Sequence, residues 1–126
     1  MPFYLEKKGT HSTPSVLIDE KKNYMKLEGM CFHENIIAFF KDIMHWLDEY
    51  ITTDFGTFTF DCKMRYFNSS SSKILHDMFE IMDENAVGDK KVIVNWHIDK
   101  DDSMLAELCE DIEDEYKNLT ISVIKS

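Results

Sequence analysis

Glycine and proline are scarce in this chain, which has four glycines and two prolines among its 126 residues. Loops that hold a phosphate with backbone N–H groups need closely spaced glycines, and no such loop occurs here. The Gly-x-Ser-x-Gly turn that presents a serine nucleophile is also missing. These absences argue against nucleotide-dependent enzymes and serine hydrolases. We therefore expect no catalytic residues, no cofactor and no enzymatic activity.

Cysteine is almost as rare as proline, with three residues at Cys31, Cys62 and Cys109. Their odd number and wide spacing predict neither a disulfide framework nor a zinc site. Each cysteine has apolar neighbours in the sequence, which is typical of a small, reduced core residue. The cysteines therefore indicate no bound metal.

Positively charged residues are few, because the chain has 14 Lys and Arg residues but 24 Asp and Glu residues, which gives a net charge of −10. Such a surface repels phosphate backbones and anionic lipid, so neither nucleic acid nor membrane is an expected partner. Residues 1–8 lack the apolar core of a secretion signal, and no apolar run could span a bilayer. We expect a cytoplasmic protein.

Hydrophobic periodicity predicts one α/β domain over residues 1–126, with the order β-β-α-β-α-β-α-β. Residues 1–14 are interpreted as a loose lead-in. The alternation of strands with helices predicts parallel pairing and a mixed sheet of about five strands with three main helices. Strands are predicted at residues 16–18, 24–27, 57–67, 91–98 and 119–124, and helices at residues 34–51, 69–85 and 102–116.

The longest predicted strand alternates strictly, with Phe58 and Phe60 on the face that packs against helices. In the first helix, the apolar stripe is predicted to be widened by Ile37, Met44 and Ile51. The long strand also suggests that the helices crowd one face of the sheet. The opposite face is predicted to be partly open to water and to carry Asp61, Lys63, Arg65, Asn95 and His97.

Four serines stand where the long strand ends and the second helix begins. A serine caps a helix well, because its oxygen accepts a hydrogen bond from a free backbone N–H. In the first interpretation, the serines serve only as caps of the second helix. A second interpretation uses the same N–H groups. A phosphate on Ser69 would add about −1.5 to −2 charges beside them without unfolding the helix. Asn68 would shape the turn, and Lys73, one turn on, would steady the phosphate.

The chain resembles the SiaC-type regulatory phosphoproteins of bacteria over most of its length. The Asn-Ser-Ser-Ser segment at the start of a helix is the most specific part of the resemblance. Serine at position 69 replaces the usual threonine and keeps the acceptor hydroxyl, whereas His33 replaces a frequent proline. The similar segments include Thr10 with Thr13-Pro14, Gly29 through Glu34-Asn35, Phe39-Phe40 with Trp46 and Tyr50, Tyr66-Phe67-Asn68-Ser69-Ser70-Ser71 with Lys73, and Trp96-His97-Ile98-Asp99 followed by Asp102, Met104, Glu107 and Glu110-Asp111.

The resemblance implies a fold like that of the anti-sigma-factor antagonists, the STAS domains. It implies phosphorylation of Ser69 by a serine/threonine protein kinase, with Ser70 and Ser71 as alternative acceptors. A metal-dependent serine phosphatase would remove the phosphate. The unmodified form would bind and activate a diguanylate cyclase, and so affect c-di-GMP signalling and biofilm formation. Candidate partner-binding residues are Glu34, Asn35, Tyr66 and His97.

Two other functions remain open from the sequence. The chain could act as an anti-sigma-factor antagonist in a partner-switching pathway. It could also be a metal-binding or small-molecule sensor, because the acids between Asp99 and Glu110 follow the spacing of a calcium loop. Met104 stands where that loop requires glycine, and an acidic helix start explains the same residues.

Overall fold

The computed structural model describes residues 2–126, which form six strands and three helices around one mixed sheet. The predicted α/β architecture and its three helices are confirmed, and the sheet has six strands where about five were predicted. A single 3-10 turn, Glu20–Lys22, joins two of the strands. The elements are β1 Tyr4–Lys7, β2 Ser15–Asp19, β3 Tyr24–Met30, α1 Ile36–Tyr50, β4 Thr57–Arg65, α2 Ser69–Asn85, β5 Lys91–Ile98, α3 Ser103–Glu115 and β6 Thr120–Lys125.

The extra strand is β1, which lies in the segment predicted to be a loose lead-in. It pairs antiparallel with β2, with Leu5 opposite Ile18. Only Leu5 among its four residues is even half-buried, so its sequence carries almost no alternation. A short edge strand of this kind forms because β2 has unpaired backbone N–H and C=O groups along its outer edge. That edge exists only once the sheet has folded.

The strands lie in the sheet in chain order, and β3, β4, β5 and β6 are parallel. Because right-handed crossovers that always step in one direction put every helix on the same side, all three helices cover one face. The core lies between the helices and that face. Its largest fully buried side chains include Trp96, Phe40, Phe58, Phe60 and Phe79.

The other face of the sheet carries polar side chains and is partly open, as predicted. Asp61 lies at its centre and accepts a hydrogen bond from Tyr24 Oη at 2.5 Å and one from Asn95 Nδ2 at 2.8 Å. Lys63 and His97 are half-buried on this face, and Arg65 is exposed at its upper end. The Asp61 bonds satisfy both carboxylate oxygens, which makes the centre of this face an ordered polar network.

Several element boundaries differ from the predictions by one to three residues. Helix α1 begins at Ile36 rather than at residue 34, and Ile37 is 64% exposed instead of widening the buried stripe. Strand β4 ends at Arg65, two residues early, because Tyr66 takes a positive φ of 60° that no strand can continue.

None of the helices between residues 2 and 126 combines the length and apolarity needed to cross a bilayer.

All three cysteines are free and buried, as their apolar neighbours predict. Burial raises the pKa of the Cys31 thiol to about 11 and that of Cys109 to about 12. The pKa of Cys62 is raised further by the same cause. The thiolate is the reactive form, so all three groups are held in their unreactive, protonated form at neutral pH.

We therefore expect the folded chain to resist Ellman's reagent at pH 8, while the denatured chain reacts at three thiols. The measurement is the absorbance of released thionitrobenzoate with and without guanidinium chloride. Rapid reaction of even one native thiol would show that its neighbourhood opens readily.

Candidate functional site

The start of α2 is fixed by a reciprocal pair of hydrogen bonds between Asn68 and Ser71. The Ser71 backbone N–H donates to Asn68 Oδ1 at 2.8 Å, and the Asn68 backbone N–H donates to Ser71 Oγ at 2.8 Å. This is a capping box, which satisfies two donors that a helix start otherwise leaves free. Ser71 is only 2% exposed. The serine cluster therefore does cap a helix, through Asn68 and Ser71.

Asn68 also ties this cap to the loop that precedes α1. Its side-chain Nδ2 donates to the carbonyl of Phe32 at 3.1 Å and, at 3.4 Å, to that of His33. Nearby, the Cys31 N–H donates to the carbonyl of Arg65 at 2.9 Å. The starts of α1 and α2 are thus held together at the carboxyl ends of β3 and β4. Asn68 caps α2 and also bonds to the loop before α1.

Glu34 and Asn35 lie in the loop that Asn68 holds. Both are exposed, and Asn35 precedes the first residue of α1 without a side-chain capping bond. The His33 ring takes part in this turn, since its Nδ1 accepts the Asn35 N–H at 3.0 Å. The structure therefore brings Glu34 and Asn35 to the same end of the molecule as the serine cluster.

The three candidate phosphoacceptors differ in exposure. Ser69, the first residue of α2, is exposed, Ser70 is half-buried, and Ser71 is buried in the capping box. The first turn of a helix presents free N–H donors and a partial positive charge, which suit an anionic group. Ser69 combines this setting with an exposed side chain.

Lys73 lies one turn beyond Ser69, and its Nζ contacts Asp77 Oδ2 at 3.4 Å. Both side chains are well exposed, and exposed ion pairs one helical turn apart contribute only about 0.3–0.5 kcal/mol. Lys73 is therefore free to exchange Asp77 for a stronger anion nearby.

Tyr66 has the most unusual backbone in this region. Its φ of +60° lies in the left-handed range, and its side chain is 62% exposed. That conformation costs a non-glycine residue roughly 1–2 kcal/mol. Such strain is typically found where a side chain serves a function rather than stability.

Tyr66 stands between two hollows. The smaller, about 350 Å³, is lined by His11, Met30, Phe32 and Tyr66. The larger, about 800 Å³, opens at the carboxyl ends of β4 and β5 and is lined in part by Tyr66 and His97. Two of the predicted partner-binding residues therefore share one cleft. The wider lining includes Lys63, Arg65, Phe67, Ser72, Asp99, Asp101, Met104 and Leu105.

The pattern of the sequence does not indicate that Phe32 is a surface residue, although its side chain is 43% exposed. The available signal was an aromatic residue directly before the polar run His33-Glu34-Asn35. The alternation of β4 predicts Lys63 and Arg65 on the open face of the sheet, but it does not indicate that they line a cleft.

The acidic segment near residue 100 starts a helix. Asp102 caps α3 by accepting the Leu105 N–H at 3.0 Å, and Asp99 accepts the Asp101 N–H at 2.9 Å. Because residues from Ser103 onward are helical, they do not wrap around a cation as a calcium loop does. Within residues 2–126, no three His, Cys, Asp or Glu side chains are grouped so that they could hold a metal.

Comparison with known proteins gives one consistent result. The model of a family described as "SiaC family regulatory phosphoprotein" matches residues 7–126. An uncharacterized protein of Pseudomonas aeruginosa (strain UCBPP-PA14) is 26% identical over 107 residues, which are 85% of each chain.

Two solved structures share the fold. The structure of SiaC of Pseudomonas aeruginosa has a TM-score of 0.87 and 23% identity, covering 98% of this chain and 99% of that one. The second is a crystal structure of the diguanylate cyclase SiaD in complex with its activator SiaC, from the same organism. Its matching chain has a TM-score of 0.87 and 24% identity, with 97% of this chain and 99% of the other covered.

Proposed function

The chain belongs to the SiaC family of regulatory phosphoproteins, and from this we propose that it is a non-enzymatic activator of a diguanylate cyclase, switched by phosphorylation of Ser69. A similar protein, SiaC of Pseudomonas aeruginosa, is the activator of the cyclase SiaD. In the proposed cycle the unmodified chain binds its cyclase, and the phosphorylated chain is released.

The observation that carries this proposal is the exposed position of Ser69 on a helix start that other residues already cap. Asn68 and Ser71 make the capping box, so Ser69 is left free to carry a modification. A phosphate there adds about two negative charges and three acceptor oxygens next to free N–H groups. The core beneath is untouched, so the modification changes what can dock and not how the chain folds.

The proposal requires a serine/threonine protein kinase and a metal-dependent serine phosphatase as partners in the cytoplasm. Ser70 is the alternative acceptor, because it is half-buried on the same turn. Ser71 is a poor acceptor by comparison, since its hydroxyl also donates to the Asn68 carbonyl at 3.0 Å, and modification would break the capping box.

Peptide mapping by mass spectrometry after incubation with the cognate kinase and ATP tests the acceptor. We expect one phosphate on Ser69, its loss in Ser69→Ala, and its retention in the matched control Ser70→Ala. Phosphate on neither Ser69 nor Ser70 would contradict the proposed switch.

Activation is tested separately, by the rate of cyclic dinucleotide formation with and without the unmodified chain. We expect stimulation by wild type and equally by Ser69→Ala, which keeps the surface but cannot be modified. An unchanged cyclase rate with wild type would contradict the proposed function itself.

A further inference from the structure

We propose that the outer edge of β6 is a docking site for an extended segment of a partner protein that carries lysine or arginine at alternate positions. The segment would join the six-stranded sheet as a further strand. The site lies beside α3, away from the helix start that carries Ser69, so the proposal goes beyond the phosphorylation switch. It depends on unpaired backbone groups along β6 and on the charge of the helix side that borders them.

The backbone of β6 is paired on one side only. Strand β6 is the last in the sheet and pairs in parallel with β5 over its whole length. Ser126 continues this ladder, because its N–H donates to the Ile98 carbonyl at 3.2 Å and its carbonyl accepts the Lys100 N–H at 3.1 Å. Backbone groups of successive residues in a strand point to opposite edges. Since Ser126 points towards β5, the residues whose N–H and C=O groups point away from β5 are Ile121, Val123 and Lys125.

This outer edge lacks the features that usually prevent strand pairing. Within residues 2–126, no other strand or loop forms a backbone hydrogen bond with it. Strand β6 has no bulge and no proline, and its only charged residue is Lys125, at its last position. The opposite edge is protected, because β1 has only four residues and exposes the charged Glu6 and Lys7. An unprotected edge is a template for pairing with another chain.

The charge of the adjoining side of α3 decides which kind of strand fits. One side of α3 faces α2, since Glu115 Oε2 lies 3.9 Å from His76 Nδ1. Helical spacing puts Glu110 and Glu113 on the other side, which borders β6, and both are exposed. Both carboxylates act to raise the pKa of the Cys109 thiol, which faces the sheet. Within residues 2–126, neither has a cation within 4.0 Å.

A second copy of this chain is a poor occupant of the edge. Antiparallel pairing of two β6 strands would place two α3 helices on one face of the sheet and turn Glu110 and Glu113 of each copy towards those of the other. Each copy also has a net charge of −10. Like charges brought together in this way oppose association.

A basic strand fits the same edge. Its lysine or arginine side chains, at alternate positions, would lie on the helix side and meet Glu110 and Glu113. The side chains between them would lie on the open face beside Ile124, which is 41% exposed, so β-branched residues suit those positions. Strand β5 separates β6 from β4, after which Ser69 begins α2. A partner at β6 therefore stays bound whether or not Ser69 carries a phosphate.

The probe for this site is a synthetic peptide of about ten residues that alternates lysine with valine, measured against the whole chain by calorimetric titration. We expect saturable binding, with the largest NMR shifts at the backbone amides of Ile121, Val123 and Lys125. A peptide of the same composition with its lysines in one block is the control. It has the same charge but cannot present that charge on one side of a strand, so it should bind about tenfold more weakly.

Val123→Pro removes one outward N–H and leaves the ladder with β5 intact, because proline is tolerated on an edge strand where its missing N–H would face outward. We expect about tenfold weaker binding of the alternating peptide, whereas Val123→Ala, which keeps the N–H, should change the affinity by less than about twofold. Glu113→Lys should also weaken binding about tenfold. Its control is Glu84→Lys, the same charge change at an exposed site on α2, which should have a much smaller effect.

Three results would each overturn the docking site: no binding to wild type, amide shifts centred elsewhere, or wild-type affinity in Glu113→Lys. The last result does not depend on whether the proline variant folds. None of the three bears on the switch at Ser69, because that test uses the kinase and the cyclase, and this one uses neither.

Discussion

Phosphorylation of Ser69 should weaken cyclase binding by about 100-fold or more, because like charges brought together at an interface cost several kcal/mol. The same modification should leave the fold intact and stabilise it slightly. A negative charge in the first turn of a helix contributes about 0.3–1 kcal/mol, which corresponds to a rise in melting temperature of roughly 2–5 °C.

The measurement pairs calorimetric titration of the cyclase with thermal unfolding, on chain that the kinase has fully modified. Treatment of that sample with a phosphatase should restore the original affinity. Ser69→Asp should give a smaller loss of affinity than the phosphate, since it adds one charge rather than two. If the modified and unmodified chains bind the cyclase with equal affinity, the proposed switch is wrong, whatever their melting temperatures.

Replacement of Asn68 should have the largest effect on stability among the site residues. Asn68→Ala removes the capping acceptor, worth about 1 kcal/mol, and the amide that holds the loop before α1, worth about 1 kcal/mol more. The expected loss is therefore roughly 2 kcal/mol of the free energy of unfolding. A loosened loop should also reduce cyclase affinity, because Asn68 holds that loop against the helix start that carries Ser69.

The substitution Asn68→Ser separates the contribution of the helix cap from that of the amide bonds to the loop before α1. Serine still accepts a hydrogen bond from the Ser71 N–H, but it is too short to reach the carbonyl of Phe32. We expect it to recover about half of the stability lost in Asn68→Ala, in urea unfolding, while its cyclase affinity stays low. Full recovery of both quantities would show that the bonds from the amide to the loop are unimportant.

Local sequence patterns were sufficient to predict those helices and strands that are determined by their own residues. The alternation of Phe58 and Phe60 with polar neighbours predicted β4, and the apolar stripe of α2 predicted its span to the residue. The start of α2 could be predicted for the same reason, since Asn68 and Ser71 lie three residues apart and their bonds are local. The resemblance to the SiaC family also depended only on the sequence.

Other features could not be predicted because they join distant parts of the chain. β1 exists through its pairing with β2, and the contact of Asn68 with Phe32 spans 36 residues. The wrong expectation for Ile37 has the same origin. Its helical position borders the buried stripe, and only the placement of α1 on the sheet decides that this flank faces water.

By itself, the sequence determined the three helices, the parallel core of the sheet, the family and the position of Ser69 at a helix start. These depend on periodicity and on neighbours within one turn, which a linear chain already specifies. Only the tertiary structure decided that Tyr66 is held in a left-handed conformation between two hollows, with Phe32 on one side and Lys63 and Arg65 on the other. The reason is that the end of β4 acquires those neighbours only when β3 and β5 pair with it and carry their loops to the same edge of the sheet.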